Sequence, residues 1–236
     1  MFISTATSRD EAERAATVAV LPVGSFEQHG SHLPLSTDTL IASAIARRLA
    51  DDYGLLLLPP VTIGCSHEHA GFAGSVSVSS ATLQAIVGDV ADSLRTAGVP
   101  RLVLVNGHGG NYVLSNVVQE ANVEARTMLL FPRSEDWADV RAAAGVETSN
   151  HQDMHGGESE TSILLAESPE VVRPNCHEAD NVVDDRRFLL TVGMVGYTES
   201  GIIGRPSLAT AEKGRMLLDA LSEQFKEHLK LFSADD

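Results

Sequence analysis

The sequence predicts an α/β fold with a mainly parallel sheet, because short apolar segments rich in β-branched residues alternate with segments of helical period. The chain has 236 residues, of which 43% are hydrophobic and 21% are charged, and this composition is sufficient to fill one core. Neither an internal repeat nor a low-complexity tract interrupts the pattern. We therefore expect a single domain over residues 1–236.

Four segments of the chain are predicted strands. They are residues 17–23, 55–61, 101–105 and 127–131. The first is apolar and β-branched and is broken by Gly24 and Ser25, which is typical of a strand buried on both faces. The second ends at Pro59 and Pro60, since proline cannot donate to a sheet ladder.

Five segments have the period of amphipathic helices. They are residues 38–49, 83–94, 111–124, 158–166 and 208–232. The first begins at Asp38 or Thr39, either of which can cap a helix, and it places apolar residues such as Ile41 and Ile45 on one face. The polar segments 136–153 and 176–187 are predicted to be connections between elements.

Charge and targeting signals exclude several classes of function. The net charge is −15 and no cluster of Lys and Arg is present, so we expect no nucleic-acid partner. Residues 1–14 lack the apolar core of a signal peptide, and no later run is long enough to span a membrane, which predicts a cytoplasmic protein. Cys65 and Cys176 are far apart and in no CxxC pattern, so we interpret both as ordinary thiols.

The connection after the first strand concentrates metal-binding residue types. Residues 24–38 read GSFEQHGSHLPLSTD and contain Glu27, His29 and Asp38. Sites in open α/β sheets form outside the carboxyl ends of the strands, where such side chains can converge on one cation. From residue types alone, solvated loop residues or helix caps remain an alternative.

A second motif, NGHGGN at residues 106–111, follows the third strand and again places a histidine, His108, at a strand end. Its glycines allow backbone and metal to approach closely around the imidazole. A phosphate cradle is the alternative, although the turn lacks the Lys-Ser/Thr ending of a P-loop. A structural histidine is also open.

The third motif, DMHGGESETS at residues 153–162, begins a predicted helix. Acidic residues in a first helical turn are often complements to the helix dipole, which is a sufficient explanation for Glu158. Glu160 is the better candidate for a metal ligand.

In this order, the three motifs resemble those of the creatininase family of metal-dependent amidohydrolases, and HAGFAGSVS at residues 69–77 resembles a fourth stretch of that family. The resemblance implies a layered α/β/α fold, commonly a homohexamer, with two divalent metals bridged by an aspartate and a solvent molecule. It implies that Asp38 bridges, that Glu27 and His108 complete one metal's ligands, and that His29 and Glu160 complete the other's.

The same resemblance suggests residues around the substrate. His155 is expected near it, and His69, Ser75 and Trp137 are candidate substrate contacts. One departure is Gly110, where creatininase itself has a glutamate, so Glu160 is expected to supply that carboxylate. Creatininase also encloses its substrate with more than one tryptophan, whereas this chain has one, which argues against creatinine.

Within the family, TESGIIG at residues 198–204 and ATAEKG at residues 209–214 are similar to mycofactocin-precursor peptidases, which remove a short C-terminal peptide from a modified precursor. This similarity implies a small amide or short peptide as substrate. Creatinine or another cyclic amide, and formamide release from a nucleobase-derived substrate, are the alternatives within the family.

The resulting hypothesis is hydrolysis of an amide-type C–N bond by water that two metals activate. Such a metal pair lowers the pKa of its water and polarises the carbonyl, and mixed carboxylate and imidazole ligands suit zinc, manganese or iron. The leaving nitrogen needs a proton, for which His155 is the first candidate and Glu158 the second. A phosphate-binding enzyme, a non-catalytic metal-binding scaffold and a silent assembly subunit are the rival interpretations.

Overall fold

The computed structural model describes residues 3–232, so the six terminal residues that the predicted domain also includes lie outside the described part. Its centre is a four-stranded parallel sheet in the order β2-β1-β3-β4. The strands are β1 (Val18–Val23), β2 (Leu56–Leu57), β3 (Arg101–Asn106) and β4 (Met128–Phe131). The predicted α/β class with a parallel sheet is confirmed.

Eight α-helices accompany the sheet among the described residues. They are α1 (Ser8–Arg14), α2 (Thr37–Tyr53), α3 (Ser80–Thr96), α4 (Val113–Ala121), α5 (Ser134–Ala143), α6 (Glu158–Glu167), α7 (Leu189–Val192) and α8 (Ala211–Lys230). Each of the five predicted helices is present, with ends that differ by a few residues, as sequence patterns rarely fix helix termini. By the length and hydropathy of its helices, this part of the chain contains no membrane-crossing segment.

The core lies on both faces of the sheet. Along β1, Val18 and Val20 face one apolar cluster, whereas Ala19 and Leu21 face another, because successive side chains of a strand point to opposite faces. Residues of α2, α6 and α8 complete the first cluster, and residues of α3 and α4 complete the second. This arrangement is the layered α/β/α fold that the family resemblance implied.

One element was wrong in the sequence-based assignment. Part of the segment 136–153, predicted to be a polar connection, lies in α5. Its apolar side chains Trp137 and Val140 pack against the first core cluster, and the rest of the helix is mostly polar. A narrow apolar face of this kind gives little periodic signal.

The sheet order places the ends of two strands side by side. β1 pairs with β3 along its length, from Val18 opposite Arg101 to Val23 opposite Asn106. The chain leaves β1 to one side towards β2 and later returns to the other side with β3. A crevice forms at the carboxyl ends where the strand order reverses in this way.

Candidate metal centre

The predicted metal ligands of the first two motifs meet at this crevice. Glu27 and His29 lie in the loop after β1, Asp38 lies in the first turn of α2, and His108 lies in the turn after β3. All four side chains are buried. A side chain at Gly107 would overlap the backbone carbonyl of Asp38, so this glycine lets the β3 turn approach α2 closely.

Among the described residues, Asp38 joins two of the three groups of possible ligands, and the third consists of Glu27, His29 and His155. Its Oδ1 is 2.9 Å from His29 Nε2, and its Oδ2 is 3.1 Å from His108 Nδ1. One group consists of Glu27, Asp38 and His108, and the other of His29, Asp38 and Glu160; within each group the ligand atoms lie within 4.8 Å of one another. The two groups thus share only the aspartate, as a bridging carboxylate would require.

Glu160 reaches the second group from the first turn of α6. Its Oε2 is 4.0 Å from His29 Nε2 and accepts a hydrogen bond of 2.6 Å from the backbone N–H of Gly156. Its side chain is 24% exposed, so this side of the group faces the solvent cavity. A carboxylate held at the edge of a cavity can coordinate a cation and leave room for substrate.

Glu27 gives the clearest indication that a cation fits here. It is fully buried, and its Oε1 is 3.1 Å from His108 Nδ1 and 3.2 Å from His69 Nε2. Nevertheless, among residues 3–232 neither oxygen accepts a hydrogen bond of acceptable geometry. A buried carboxylate without a hydrogen bond is costly unless a cation compensates it.

Three histidines present an unprotonated nitrogen to the site in their neutral form. The other ring nitrogen of each donates to a backbone carbonyl: His29 Nδ1 to Glu27 at 3.1 Å, His108 Nε2 to Cys65 at 3.0 Å, and His155 Nε2 to Gln28 at 2.6 Å. A carbonyl can only accept, so the proton of the neutral ring is fixed on the outer nitrogen. The inner lone pairs are therefore available to a metal or a proton.

His69 is oriented in the opposite sense by Gln28. The Gln28 side-chain oxygen accepts from the Gly30 N–H at 2.9 Å, and its nitrogen donates to the Gly201 carbonyl at 2.9 Å, which fixes how the amide is turned. The same nitrogen lies 3.0 Å from His69 Nδ1, which must therefore accept. His69 thus presents an N–H group, at Nε2, to the site.

The electrostatics of the centre also favour cations. Burial alone would lower the pKa of His29, but Asp38 and the neighbouring glutamates outweigh it and raise that pKa to about 9. Burial raises the pKa of Glu160 to about 7, against the attraction of His29. Burial and the nearby rings of His29 and His69 hold the pKa of His155 well below its usual range. Without metal, protons on His29 occupy the place of a cation, while His155 stays neutral.

Glu158 does not take part in this centre. Its carboxylate accepts from Lys213 Nζ at 2.6 Å, from the Thr148 hydroxyl at 2.7 Å and from the backbone N–H groups of Glu147 and Thr148. Every oxygen is occupied by a structural partner, so the expectation that Glu158 is a second proton donor receives no support. The helix start is further held by Asp153, which accepts from the Glu158 N–H and from Arg141.

The other candidate substrate contacts are not brought together at the centre. Trp137 on α5 packs against the first core cluster and lines neither of the two cavities near the site. Ser75 accepts a hydrogen bond of 3.1 Å from the Gln28 backbone N–H, which indicates a role in holding the loop. His69, by contrast, is buried beside Glu27 and lines the cavity over the ligands.

Sequence reasoning missed Glu68. Its Oε1 lies 3.3 Å from His108 Nε2, on the side of the ring that faces away from Asp38, and a side chain at Gly110 would overlap both groups. The Glu68 carboxylate thus occupies the space beside Gly110, the position at which creatininase itself has a glutamate. The signal available in the sequence was its position next to His69 in the fourth motif.

A cavity of about 570 Å³ opens above the centre. His108, His155 and Glu160 form part of its wall. A second cavity of about 630 Å³ adjoins it and shares Glu68 and Tyr112. The volume is in the range of small-molecule and peptide sites, so substrate can reach the ligand cluster from solvent.

Known proteins with similar sequences and structures have related activities. Residues 4–229 match the family described as Creatininase, creatinine amidohydrolase. The chain is 36% identical over 211 residues to the mycofactocin precursor peptide peptidase of Mycobacterium ulcerans (strain Agy99), covering 84% of this chain and 78% of that protein. It is 29% identical over 261 residues to the creatinine amidohydrolase of Pseudomonas putida, covering 95% and 97%. A crystal structure of creatinine amidohydrolase aligns with a TM-score of 0.79 at 25% identity, covering 95% of both chains.

Proposed function

The chain belongs to the creatininase family and is a metal-dependent hydrolase of amide-type C–N bonds, and on this premise we propose that it cleaves a linear amide or short peptide with two divalent metals. The proposed ligands are Glu27, His29, Asp38, His108 and Glu160. The observation that carries the proposal is the pair of ligand groups that share only Asp38, together with the unpartnered oxygens of Glu27.

A linear substrate is favoured over creatinine by the shape of the site. Trp137, the only tryptophan, is part of the core and does not enclose the cavity. A second cavity that shares Glu68 and Tyr112 with the first lies beside it, which would give an extended substrate room on both sides of Tyr112. The similarity to a peptidase acting on mycofactocin precursor peptide supports the same substrate class.

Each metal would lower the pKa of water and polarise the scissile carbonyl. The protein's own groups have complementary tasks. His155 presents a bare Nδ1 to the site and stays neutral because its pKa is lowered, so this nitrogen would be available to accept the proton that the attacking water loses and to pass it to the leaving nitrogen. His69 presents an N–H at Nε2, 3.2 Å from Glu27 Oε1, and would donate a hydrogen bond to that carboxylate or, with substrate bound, to the carbonyl oxygen as negative charge develops.

Zinc, manganese and iron all suit this ligand set, and we propose one of them for each position. A homohexamer in the cytoplasm, as the family resemblance and the composition suggest, completes the proposal. Because the two ligand groups share one carboxylate, loss of that carboxylate has to affect both metals.

The test is elemental analysis of the purified protein and of Asp38→Asn, followed by a panel of peptides, linear amides, creatinine and formamides. We expect two metals per chain in the wild type, substantial loss of both in the variant, and turnover of peptides or linear amides. The wild type with two metals but no turnover of any amide would support the scaffold interpretation. Absence of metal uptake would contradict the proposed centre.

A further inference from the structure

The cavity above the ligands has a second, charged wall. This wall consists of residues 184–187, which read Asp-Asp-Arg-Arg and come from the segment predicted to be a polar connection. His151 and Met154 join this wall to the loop that precedes α6. A substrate in this cavity therefore has both metal ligands and two arginines in its surroundings.

The two arginines differ in their partners. Arg187 is largely exposed and pairs with Asp185 at 2.8 Å. Arg186 is half-buried, and among the described residues no carboxylate oxygen lies within 4.0 Å of its guanidinium. Burial lowers the pKa of Arg186, and the more distant Asp184 only partly offsets this effect. Within residues 3–232, Arg186 is thus a half-buried cation without a paired anion.

The guanidinium of Arg186 is nevertheless held in place. It donates to the backbone carbonyls of Val183 and His151, the latter at 2.8 Å, and one nitrogen lies 3.4 Å from His151 Nδ1. A guanidinium has more N–H groups than these contacts use. It is therefore oriented before any ligand arrives and retains donors for a planar anion, which reduces the entropy lost on binding.

From this arrangement we infer that Arg186 binds a carboxylate of the substrate. The inference rests on the proposed function and narrows its substrate class to peptides and linear amides that carry a free carboxylate near the scissile bond. Arginine pairs with carboxylates through two parallel hydrogen bonds. In a chain with a net charge of −15, an anionic substrate is repelled at long range, so a local cation is needed to hold it.

The test compares peptides with a free C-terminal carboxylate to the same peptides amidated at the C-terminus. The variant is Arg186→Gln, whose amide can still donate to the carbonyls of Val183 and His151 but carries no charge. Arg187→Gln is the matched control, because its cation is already neutralised by Asp185. Thermal unfolding of each variant checks that the wall has kept its fold, and Arg186→Lys replaces the glutamine variant if the latter unfolds.

We expect the wild type and Arg187→Gln to prefer the free carboxylate by about 10- to 100-fold in kcat/KM, as for a hydrogen-bonded charge pair. Arg186→Gln should treat the two series alike within about twofold, and Arg186→Lys should keep part of the preference, because it keeps the charge but not the planar geometry. A wild type indifferent to the carboxylate, or an undiminished preference in Arg186→Gln, would overturn the inference.

A second measurement separates this inference from the proposed function. Metals bind carboxylates too, so an N-acetylated amino acid and its amide are titrated into metal-free protein and followed by NMR. We expect the acid to bind the wild type about tenfold more tightly than it binds Arg186→Gln, and the amide to bind both alike. Equal binding of the acid to both proteins would remove Arg186 from recognition, whereas failure to hydrolyse any amide would remove only the proposed function.

Discussion

Glu158 and Glu160 lie in the same first turn of α6, yet their surroundings are opposite. Glu158 accepts from a lysine, a hydroxyl and backbone donors, so its charge is fully compensated within the protein. Glu160 accepts one backbone N–H and otherwise faces His29 and the cavity. A buried charge that is compensated within the protein is explained by the fold and is costly only to break, whereas a buried charge left uncompensated indicates a binding site.

The largest expected effect is the difference between substitutions of these two glutamates in turnover and in stability. Glu160→Gln keeps the side-chain volume but loses the charged ligand, so we expect kcat/KM to fall by more than about 100-fold, the upper range for groups that only support a ligand. Glu158→Gln should keep turnover within about fivefold but lower the free energy of unfolding by about 3 kcal/mol, because Lys213 loses its buried anion and keeps only the exposed carboxylate of Glu147. Kinetics, metal analysis and urea unfolding of both variants are the measurements.

Each variant is the control for the other. The comparison fails if Glu158→Gln abolishes turnover while retaining full stability, since Glu158 would then act in the reaction. It also fails if Glu160→Gln binds two metals and turns over like the wild type.

A smaller effect is expected at Glu68, which contacts the outer face of His108. Glu68→Gln weakens the polarisation of that imidazole, and outer partners of this kind change metal affinity by about 10- to 100-fold. We expect metal affinity to fall by about tenfold, near the lower end of this range, because His108 Nε2 still donates to the Cys65 carbonyl. Competition with a chelator measures it, and Glu135→Gln, at an exposed glutamate, is the control. An unchanged affinity would show that Glu68 only lines the cavity.

The smallest expected effect is the pH dependence of the stability that Glu158 contributes. Burial would raise the pKa of Glu158, but Lys213 and the donors of Glu147 and Thr148 outweigh it and lower that pKa below 4.5. A lowered folded-state pKa means that the stabilisation is complete above the unfolded-state value and is lost as the pH falls through the folded-state value. Below about pH 4.5 the wild type should therefore lose up to about 1.4 kcal/mol per pH unit more than Glu158→Gln.

Unfolding in urea at several pH values between neutral and acidic conditions measures this difference. Parallel curves for the two proteins would contradict it. Because other carboxylates titrate in the same range, only the difference between the proteins is informative.

Much of the fold and of the metal centre was predictable because both depend on local sequence. The strands carry their own apolar pattern, and parallel strands bring their carboxyl ends to one edge, so Glu27, Asp38 and His108 could be expected near one another, while their assignment as ligands came from the resemblance to the creatininase family. The α5 helix was missed because its apolar face is narrow, with Trp137 and Val140 as its members in the core.

The roles of individual polar residues were less predictable because their partners are distant in the sequence. In the sequence Glu158 resembles a site residue, but in the structure Lys213 on α8 neutralises its charge. Arg186 lies in a segment without periodicity, and its lack of an acidic partner is visible only when every neighbouring element is in place. The sequence contains the residue types, but charge compensation is a property of the tertiary structure.

Gly201 shows that the state of a site residue can depend on a position that is far away in the sequence. It adopts a φ of +83°, and any side chain at this position would overlap the Gln28 amide. That amide dictates which nitrogen of His69 carries hydrogen. Gly201, which has no side chain, thereby determines which nitrogen of the His69 ring carries the proton, although His69 lies much earlier in the sequence. The tautomer of a histidine in the centre therefore depends on the backbone conformation of a distant glycine.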